Sequence, residues 1–368
     1  MPIFEHPEFD GHEQIAFGHD TATGLRAIVA IHDTTLGPAM GGCRIWPYAS
    51  EAEAVTDALR LSRGMTQKSA LAGLALGGGK AVIIGDPQRH KTPELMRAMG
   101  RVIDNLGGRY VTAEDSGMSV ADLRVLNETT PHVVGITNDR RADGSAHDGD
   151  PSPATADGVY RGIRASVRAR LGRSELRGLR VAIQGAAGSV GQRLARHLAA
   201  DGARLTLADM HSDASQALAN ELHASVVKPE AITAVPADVF SPCALGATIN
   251  PPTRPQLRCS IIAGAANNQL ASPDDGIALW QAGILYAPDF VINAGGIIDV
   301  GAQYYGYDPA DVDSRVAGIE DTLTTIFERA YRDDVPPETI AKELAERAAV
   351  RRSSASSLAM VSGGTSSR

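Results

Sequence analysis

Apolar positions along the chain follow one scheme up to about residue 137 and another after about residue 153. Gly24 to Ile31, GLRAIVAI, reads as a strand. At Ser50 the spacing turns helical. Ser50 with Glu53 three residues on has the form of a capping box, and Val55, Ala58, Leu59 and Ser62 then mark one buried face of a helix running toward Lys68. Ala81 to Ile84 and Tyr110 to Ala113 read as short buried strands, closed by the turns Asp86-Pro87 and Asp115-Ser116-Gly117. From about Asn138 to Pro153, NDRRADGSAHDGDPSP, the periodicity stops, which predicts a surface loop leading to a domain boundary. Beyond it RVAIQ, ARLTLAD, ADVFSP, SIIAGAA and GILYAPDFV are strand candidates with helical stretches among them. Such alternation implies an α/β fold with a parallel sheet and crossover helices. The Ser- and Gly-rich tail from Arg351 is expected to fray.

Composition narrows the function. A chain of 368 residues with 43% apolar residues can fill two domain cores. A net charge of −8 and an aromatic fraction of 4% disfavour a nucleic-acid surface, which needs clustered cations and stacking rings. No apolar run approaches the roughly 20 residues of a membrane helix, and the acidic start MPIFEHPEFDGHEQ is not a signal peptide, so a cytoplasmic location is expected. Cys43, Cys243 and Cys259 are far apart and form no CxxC, and the ten histidines show no paired ligand spacing. No metal site is expected.

Two glycine-rich stretches carry the chemistry. RVAIQGAAGSVGQRLARHLAADGARLTLAD has the order strand, glycine turn, amphipathic helix, strand and acid that a dinucleotide fold requires. Its glycines, Gly185, Gly188 and Gly191, let the backbone approach a pyrophosphate at a helix N-terminus. Asp209, 18 residues after Gly191, can accept hydrogen bonds from a ribose diol and repels a 2′-phosphate, which favours NAD over NADP. The spacing is GxxGxxG, one residue longer than GxGxxG, so which glycine makes the tight turn stays open. In the other stretch, LALGGGKAVIIGDP, the run Gly77-Gly78-Gly79 reads as a loop whose missing side chains admit a small ligand to Lys80. Lys80, like Lys68 in GMTQKSALAG, stands among Met, Ala, Leu and Gly. Desolvation there lowers a lysine's pKa and suits it to anchor a carboxylate or act as a base. Asp115, ending the strand in VTAEDSG, can complete a proton relay, and Gly41-Gly42 would let a carboxylate come close to backbone.

The motifs GPAMGGCRIWPY, DALRLSRGMTQKSALAGLALGGGKAVIIGDP, GGRYVTAEDSG, DPSPATADGVYRG, SPCALGATIN, IIAGAANNQL and ILYAPDFVINAGG run in order through nearly the whole chain. On these the chain resembles the leucine, phenylalanine and valine dehydrogenases of the amino-acid dehydrogenase superfamily, which includes glutamate dehydrogenase. The resemblance implies a substrate-binding and oligomerisation domain over residues 1–148, completed by C-terminal helices at about 330–368. A Rossmann NAD-binding domain would follow over 149–329, across a cleft. It implies that Lys68, helped by Gly42, pairs with the substrate α-carboxylate, that Lys80 is the catalytic lysine, and that Asp115 moves protons. Thr155 would contact the nicotinamide carboxamide. Gly185, Ala186, Ala187, Gly188, Ser189, Val190, Gly191 and Asp209 would hold the pyrophosphate and adenosine ribose, and Cys243 and Ala244 the adenine side. Asn267 and Asn268 would reach the nicotinamide ribose and, for Asn267, the substrate amino group. Homo-oligomers, dimers or octamers, are implied as well. The chain departs from the family pattern at Met40 and Asp157, besides the longer glycine loop.

The implied reaction is NAD-dependent oxidative deamination of an L-amino acid to a 2-oxo acid and ammonium. By the same resemblance the side-chain pocket comprises Met40, Ala113, Ile297 and Val300, all apolar. An unpaired carboxylate would be costly there, so the substrate is apolar. Isoleucine at 297 narrows the space for a ring and favours leucine, valine or isoleucine over phenylalanine or tryptophan, although one methylene is worth only about 1–3 kcal/mol. From another class, the alternative is a catalytically dormant NAD-binding sensor or scaffold, against which the retention of Lys68, Lys80 and Asp115 together speaks.

Overall fold

The computed structural model describes residues 2–348 except 138, 142, 143, 145 and 245. The chain divides into two compact units: Met1–Asp150 with Val300–Pro309 and the chain from Leu344, and Pro151–Asp299 with Ala310–Glu343. No helix among the described residues is long and apolar enough to cross a membrane. The tail from Arg351 lies outside the described residues.

In the first unit the strands are β1 (Gln14–Asp20), β2 (Leu25–Asp33), β3 (Ala39–Trp46), β4 (Gly77–Ile84) and β5 (Tyr110–Glu114), in the order β1-β2-β4-β3-β5. β1, β2 and β4 pair antiparallel, whereas β3 runs parallel to both β4 and β5. Helix α1 (Glu51–Leu71) covers one face, burying Ala54, Val55, Ala58 and Leu59 against Ile28, Ala30 and Val82. Helices α2 (Pro93–Asp104) and α3 (Val120–Asn127) cover the other, with Leu95, Met96, Met99, Leu123 and Leu126 against Val29, Ile31, Ala81 and Ile83. Successive residues of β2 and β4 serve opposite faces because strand side chains alternate. The Ser50 side chain accepts the Glu53 N–H and starts α1 as its sequence predicts, while the Glu53 carboxylate accepts the Ala49 N–H, one residue before the cap. The described part of 138–150 forms a hairpin of β6 (Asp139–Arg140) and β7 (Ala146–His147).

The glycine run is a correction to the sequence reading. Gly77, Gly78 and Gly79 are not a loop but the first three residues of β4, all buried. A Cβ on Gly78 would run into the backbone and hydroxyl of Thr66 on α1, and one on Gly79 would lie 2.6 Å from the Tyr110 ring. The missing side chains therefore let a helix and a ring close on the sheet.

The second unit holds α4 (Ser152–Leu171), β8 (Arg180–Gln184), α5 (Ser189–Ala200), β9 (Arg204–Ala208), α6 (Ser212–Leu222), β10 (Ser225–Val226), β11 (Val239–Pro242), β12 (Ile261–Ile262), α7 (Pro273–Gln281), β13 (Leu285–Tyr286) and α8 (Asp289–Ile292). The sheet order is β10-β9-β8-β11-β12-β13, and every pair is parallel. This is the doubly wound Rossmann order, which reverses between β8 and β11. GILYAPDFV is not one strand: only Leu285 and Tyr286 pair, and after Pro288 the chain turns into α8. Helix α9 (Gly295–Tyr305) begins in this unit and ends in the first. Helix α10 (Pro309–Asp333) groups with the second unit from Ala310 on, where the sequence reading places only the chain before about 330. Its apolar stripe explains this: Ile319 and Leu323 lie against Gly158 and Gly162 of α4, which as glycines let the helices close.

Gly78→Ala is expected to cost about 1–3 kcal/mol, because the helix that must move is packed. Gly64→Ala, on α1 with no atom near a new Cβ, should instead gain up to about 1 kcal/mol of helix propensity. Thermal unfolding followed by circular dichroism checks both. An equal response at the two sites would remove close packing as the reason for Gly78.

Candidate active site

Chemistry-bearing residues gather on the α1 face of the first sheet. The register pairs Met40 with Gly78 and Val111, and Gly42 with Ala113. Lys80 lies two residues beyond Gly78 on β4, Arg44 two beyond Gly42 on β3, and Asp115 two beyond Ala113 at the end of β5. With a period of two, all of them share one face. Lys80 and Asp115 stand on strands separated by β3, so their backbones are about 9–10 Å apart. They nevertheless meet, Lys80 Nζ lying 2.8 Å from Asp115 Oδ2. Gly42 makes this possible: a Cβ there would lie 2.6 Å from Asp115 Cβ, so the Asp115 side chain folds over the bare strand.

Lys80 is 4% exposed. Burial lowers its pKa, the Asp115 carboxylate opposes this and Arg44 reinforces it, leaving the ammonium below an ordinary lysine. Burial raises the Asp115 carboxyl, but the Lys80 and Arg44 cations outweigh it and hold the group well below the usual carboxylate range. Arg44 donates from Nε to Asp115 Oδ2 at 2.7 Å and from Nη1 to Asp57 Oδ2 at 2.8 Å, and the Tyr48 hydroxyl donates to the same Asp57 oxygen. Lys68 is buried on α1, between Thr66, which touches Gly78, and Ser69, whose hydroxyl donates to the Gly77 carbonyl. Met40 and Ala113 are buried, as are Ile297 and Val300 on α9, Ile297 in the second unit and Val300 in the first.

In the second unit the glycine loop after β8 and Cys243-Ala244 after β11 stand at the carboxyl ends of the two strands between which the sheet order reverses, while Asp209 follows β9 and Asn267 and Asn268 follow β12. Gly185 follows β8 with φ +75°, and its Cβ would lie 2.8 Å from the Ala244 nitrogen and the Cys243 carbonyl carbon. It is therefore the tight-turn glycine that the sequence left open. Gly191, within α5, passes against the Gly185 carbonyl, and Gly188 caps α5 in an extended conformation. The N-cap Gly188 offers no side chain to the first-turn N–H groups of α5. Asp209 follows β9 and accepts the Ala187 N–H at 3.0 Å and the His211 N–H at 2.9 Å. Ala186 is buried, while Ser189 and Val190 open α5. Thr155, in the first turn of α4, donates to the Pro151 carbonyl. Asn268 adopts φ +49°.

Arg44, Asp57 and Tyr48 were not singled out from the sequence. Two further groups also escaped it. Asn293 is buried and donates from Nδ2 to Asn267 Oδ1 at 3.0 Å, while its own Oδ1 has no hydrogen-bond partner among the described residues. The Glu114 carboxyl is pushed up to about 7 by burial, then by Asp150, Asp115, Asp122 and Asp148. A strand-alternation test of GPAMGGCRIW would have found Arg44, since it lies two residues past Gly42. Among the described residues no group of side chains could hold a metal ion.

This arrangement, a buried lysine–aspartate pair in one unit and a Rossmann sheet in the other, has close relatives. Residues 12–132 match the family described as Glu/Leu/Phe/Val dehydrogenase, dimerisation domain, and residues 206–351 match the family described as Glutamate/Leucine/Phenylalanine/Valine dehydrogenase. Leucine dehydrogenase from Bacillus cereus is 48% identical, over 94% of this chain and 93% of that protein. Valine dehydrogenase from Streptomyces albus is 46% identical, over 93% of each. The crystal structure of L-tryptophan dehydrogenase from Nostoc punctiforme superposes with a TM-score of 0.75 at 43% identity, covering 93% of this chain and 97% of that one. The chain belongs to the glutamate/leucine/phenylalanine/valine dehydrogenase family and is an amino-acid dehydrogenase.

Removing Asp115 leaves two cations facing each other, whereas removing Lys80 leaves Asp115 still paired with Arg44. Asp115→Ala is therefore expected to lose about 3–5 kcal/mol of stability, the usual cost of an uncompensated buried charge, and Lys80→Met distinctly less. Urea unfolding at neutral pH measures the difference. Because the Asp115 pKa is depressed, its contribution is complete above the unfolded value near ~3.9 and is lost only as pH falls through the folded one. Equal losses in the two variants would contradict the shared-carboxylate geometry.

Proposed function

We propose that the chain catalyses NAD-dependent oxidative deamination of an apolar L-amino acid, leucine, valine or isoleucine preferred, to the 2-oxo acid and ammonium. The observation that carries this reading is the buried Lys80–Asp115 pair beside the bare strand at Gly42. The Bacillus and Streptomyces relatives, named for leucine and valine, support the aliphatic preference. The tryptophan dehydrogenase from Nostoc punctiforme, 45% identical, supports an aromatic substrate as the second reading.

The second unit's residues fit a dinucleotide. Gly185 makes the turn, a Cβ on Gly188 would meet only the Gly185 carbonyl at 3.3 Å, and the α5 N-terminus is free of side-chain caps. These would hold the pyrophosphate, with Cys243 and Ala244 beside the turn, and Asp209 would take the ribose diol and disfavour a 2′-phosphate. Thr155, Asn267 and Asn268 complete the proposed set. When bound, the nicotinamide supplies the acceptor for the hydrogen on the substrate Cα.

In the first unit Lys68 and Gly42 hold the substrate carboxylate, and Met40, Ala113 and Val300 offer only apolar surface to its side chain. Lys80, in its neutral form, takes a proton from the water that attacks the substrate iminium carbon. Asp115 then carries the proton that turns the departing amine into ammonium. The family's dimerisation domain over 12–132 supports a homo-oligomer, dimer or octamer, and a cytoplasmic location belongs to the same reading.

Purified protein with NAD should form NADH from leucine, valine or isoleucine, followed by the absorbance of the reduced nicotinamide. Turnover with no apolar amino acid would sink the proposal, and a preference for tryptophan would select the second reading. Lys80→Ala should lose turnover yet still bind NAD by calorimetry. In the native protein the rate should climb with pH as Lys80 sheds its proton, levelling below the ~10.4 of a free lysine. Asp209→Ala should weaken NAD binding and narrow the gap to NADP; an unchanged ratio of the two affinities would show that the acid does not face the ribose.

A further inference from the structure

Asp115 is gripped asymmetrically. Lys80 Nζ, at 2.8 Å, and Arg44 Nε, at 2.7 Å, both lie on Oδ2, while no described residue donates a hydrogen bond to Oδ1. Arg44 is itself held from behind by Asp57 of α1, whose oxygen also accepts from Tyr48. We propose that Arg44 is a positioning residue for the deamination: with Lys80 it anchors one oxygen of Asp115 and leaves the other to carry the proton. This rests on the proposed function for its chemistry, but the geometry stands in the free protein.

A carboxylate that must take and return a proton needs a fixed orientation and a defined proton site. With two cations on Oδ2, that oxygen is the unfavourable place for a proton, so the proton goes to Oδ1. A single lysine on a flexible stem would leave the carboxylate free to rotate. The planar guanidinium, fixed at both ends by Asp115 and Asp57, stops that rotation. The charged and titratable groups around the pair are Lys80 from β4, Arg44 and the Cys43 thiol from β3, the Tyr48 phenol that follows β3, Asp57 from α1, Glu114 and the Tyr110 phenol from β5 and Asp122 from α3. Arg44 lowers the proton affinity of both Lys80 and Asp115. Its loss must therefore move both titrations to higher pH. Asp57 acts on Lys80 with the opposite sign.

The test is Arg44→Gln, with Arg44→Lys and Asp57→Asn beside it. In the protein without ligands, carbon NMR of the aspartate carboxyls should show the Asp115 midpoint rising by roughly one to three pH units in Arg44→Gln. In the deamination assay, kcat should fall about 100-fold, as for a reacting group misplaced by an ångström. The KM for NAD should stay within about twofold, since binding is not what Arg44 supports. The acid limb of the pH–rate profile should shift up in Arg44→Gln and down in Asp57→Asn, and Arg44→Lys should restore part of kcat. An Asp115 midpoint unmoved by Arg44→Gln, or limbs that move the same way in the two charge variants, would overturn the proposal. If Arg44→Gln does not fold, Asp57→Asn carries the test: its acid limb should move down, since Asp57 raises the Lys80 proton affinity, and a limb that stays or rises would overturn the proposal. An enzyme that fails to deaminate any amino acid, with the NMR shift intact, would count against the proposed function and leave the anchoring of Asp115 standing.

Discussion

One carboxylate oxygen accepts both Lys80 and Arg44 inside the first unit, and much of that unit is arranged so that this can happen. A buried lysine or a buried aspartate alone is costly, and a buried pair seldom repays its own desolvation. The pair survives because Arg44 and Asp57 extend it into a chain of alternating charges. It also requires a gap in the middle strand. Lys80 and Asp115 flank β3, and any side chain at 42 would stand between them. The parallel pairing of β3 with both β4 and β5 brings Lys80 and the end of β5 to the same level of the sheet.

Lys80 and Asp115 were legible in the sequence because each contrasts with its neighbours, one ion in an apolar and glycine-rich run and one acid at a strand end. The fold class was legible for a similar reason, since the second half alternates strands and helices with few interruptions. Gly77-Gly78-Gly79 was misread because a glycine run looks like a loop when only local propensity is consulted. What makes it a strand is α1 lying on Gly78 and Tyr110 lying on Gly79, partners that are near only in the folded chain. Arg44 was within reach of the alternation along β3, which puts it on the Gly42 face, but it was passed over on residue type. Arginine is ordinarily a surface residue, and its partners Asp57 and Asp115 stand 13 and 71 positions away.

The longer glycine loop after β8 shows the reverse case, in which the structure removes a choice. Spacing alone allowed any of three glycines to make the turn. Only Gly185 has a positive φ, and it also lies against the chain after β11, where a Cβ would not fit. Gly191 is then fixed by the Gly185 carbonyl it passes. The extra residue falls between these two fixed points, on the approach to α5.

The two units thus use glycine to opposite ends. In β3 and β4 the missing side chains bring protein against protein, so charges that would otherwise need water find each other in the interior. At Gly188 the missing side chain faces nothing but its own loop, and the helix behind it carries no cap. A helix N-terminus without a side-chain acceptor keeps its positive end available. In the first unit the charges of Lys80, Asp115, Arg44 and Asp57 meet one another, whereas at the start of α5 the backbone donors have no side-chain cap.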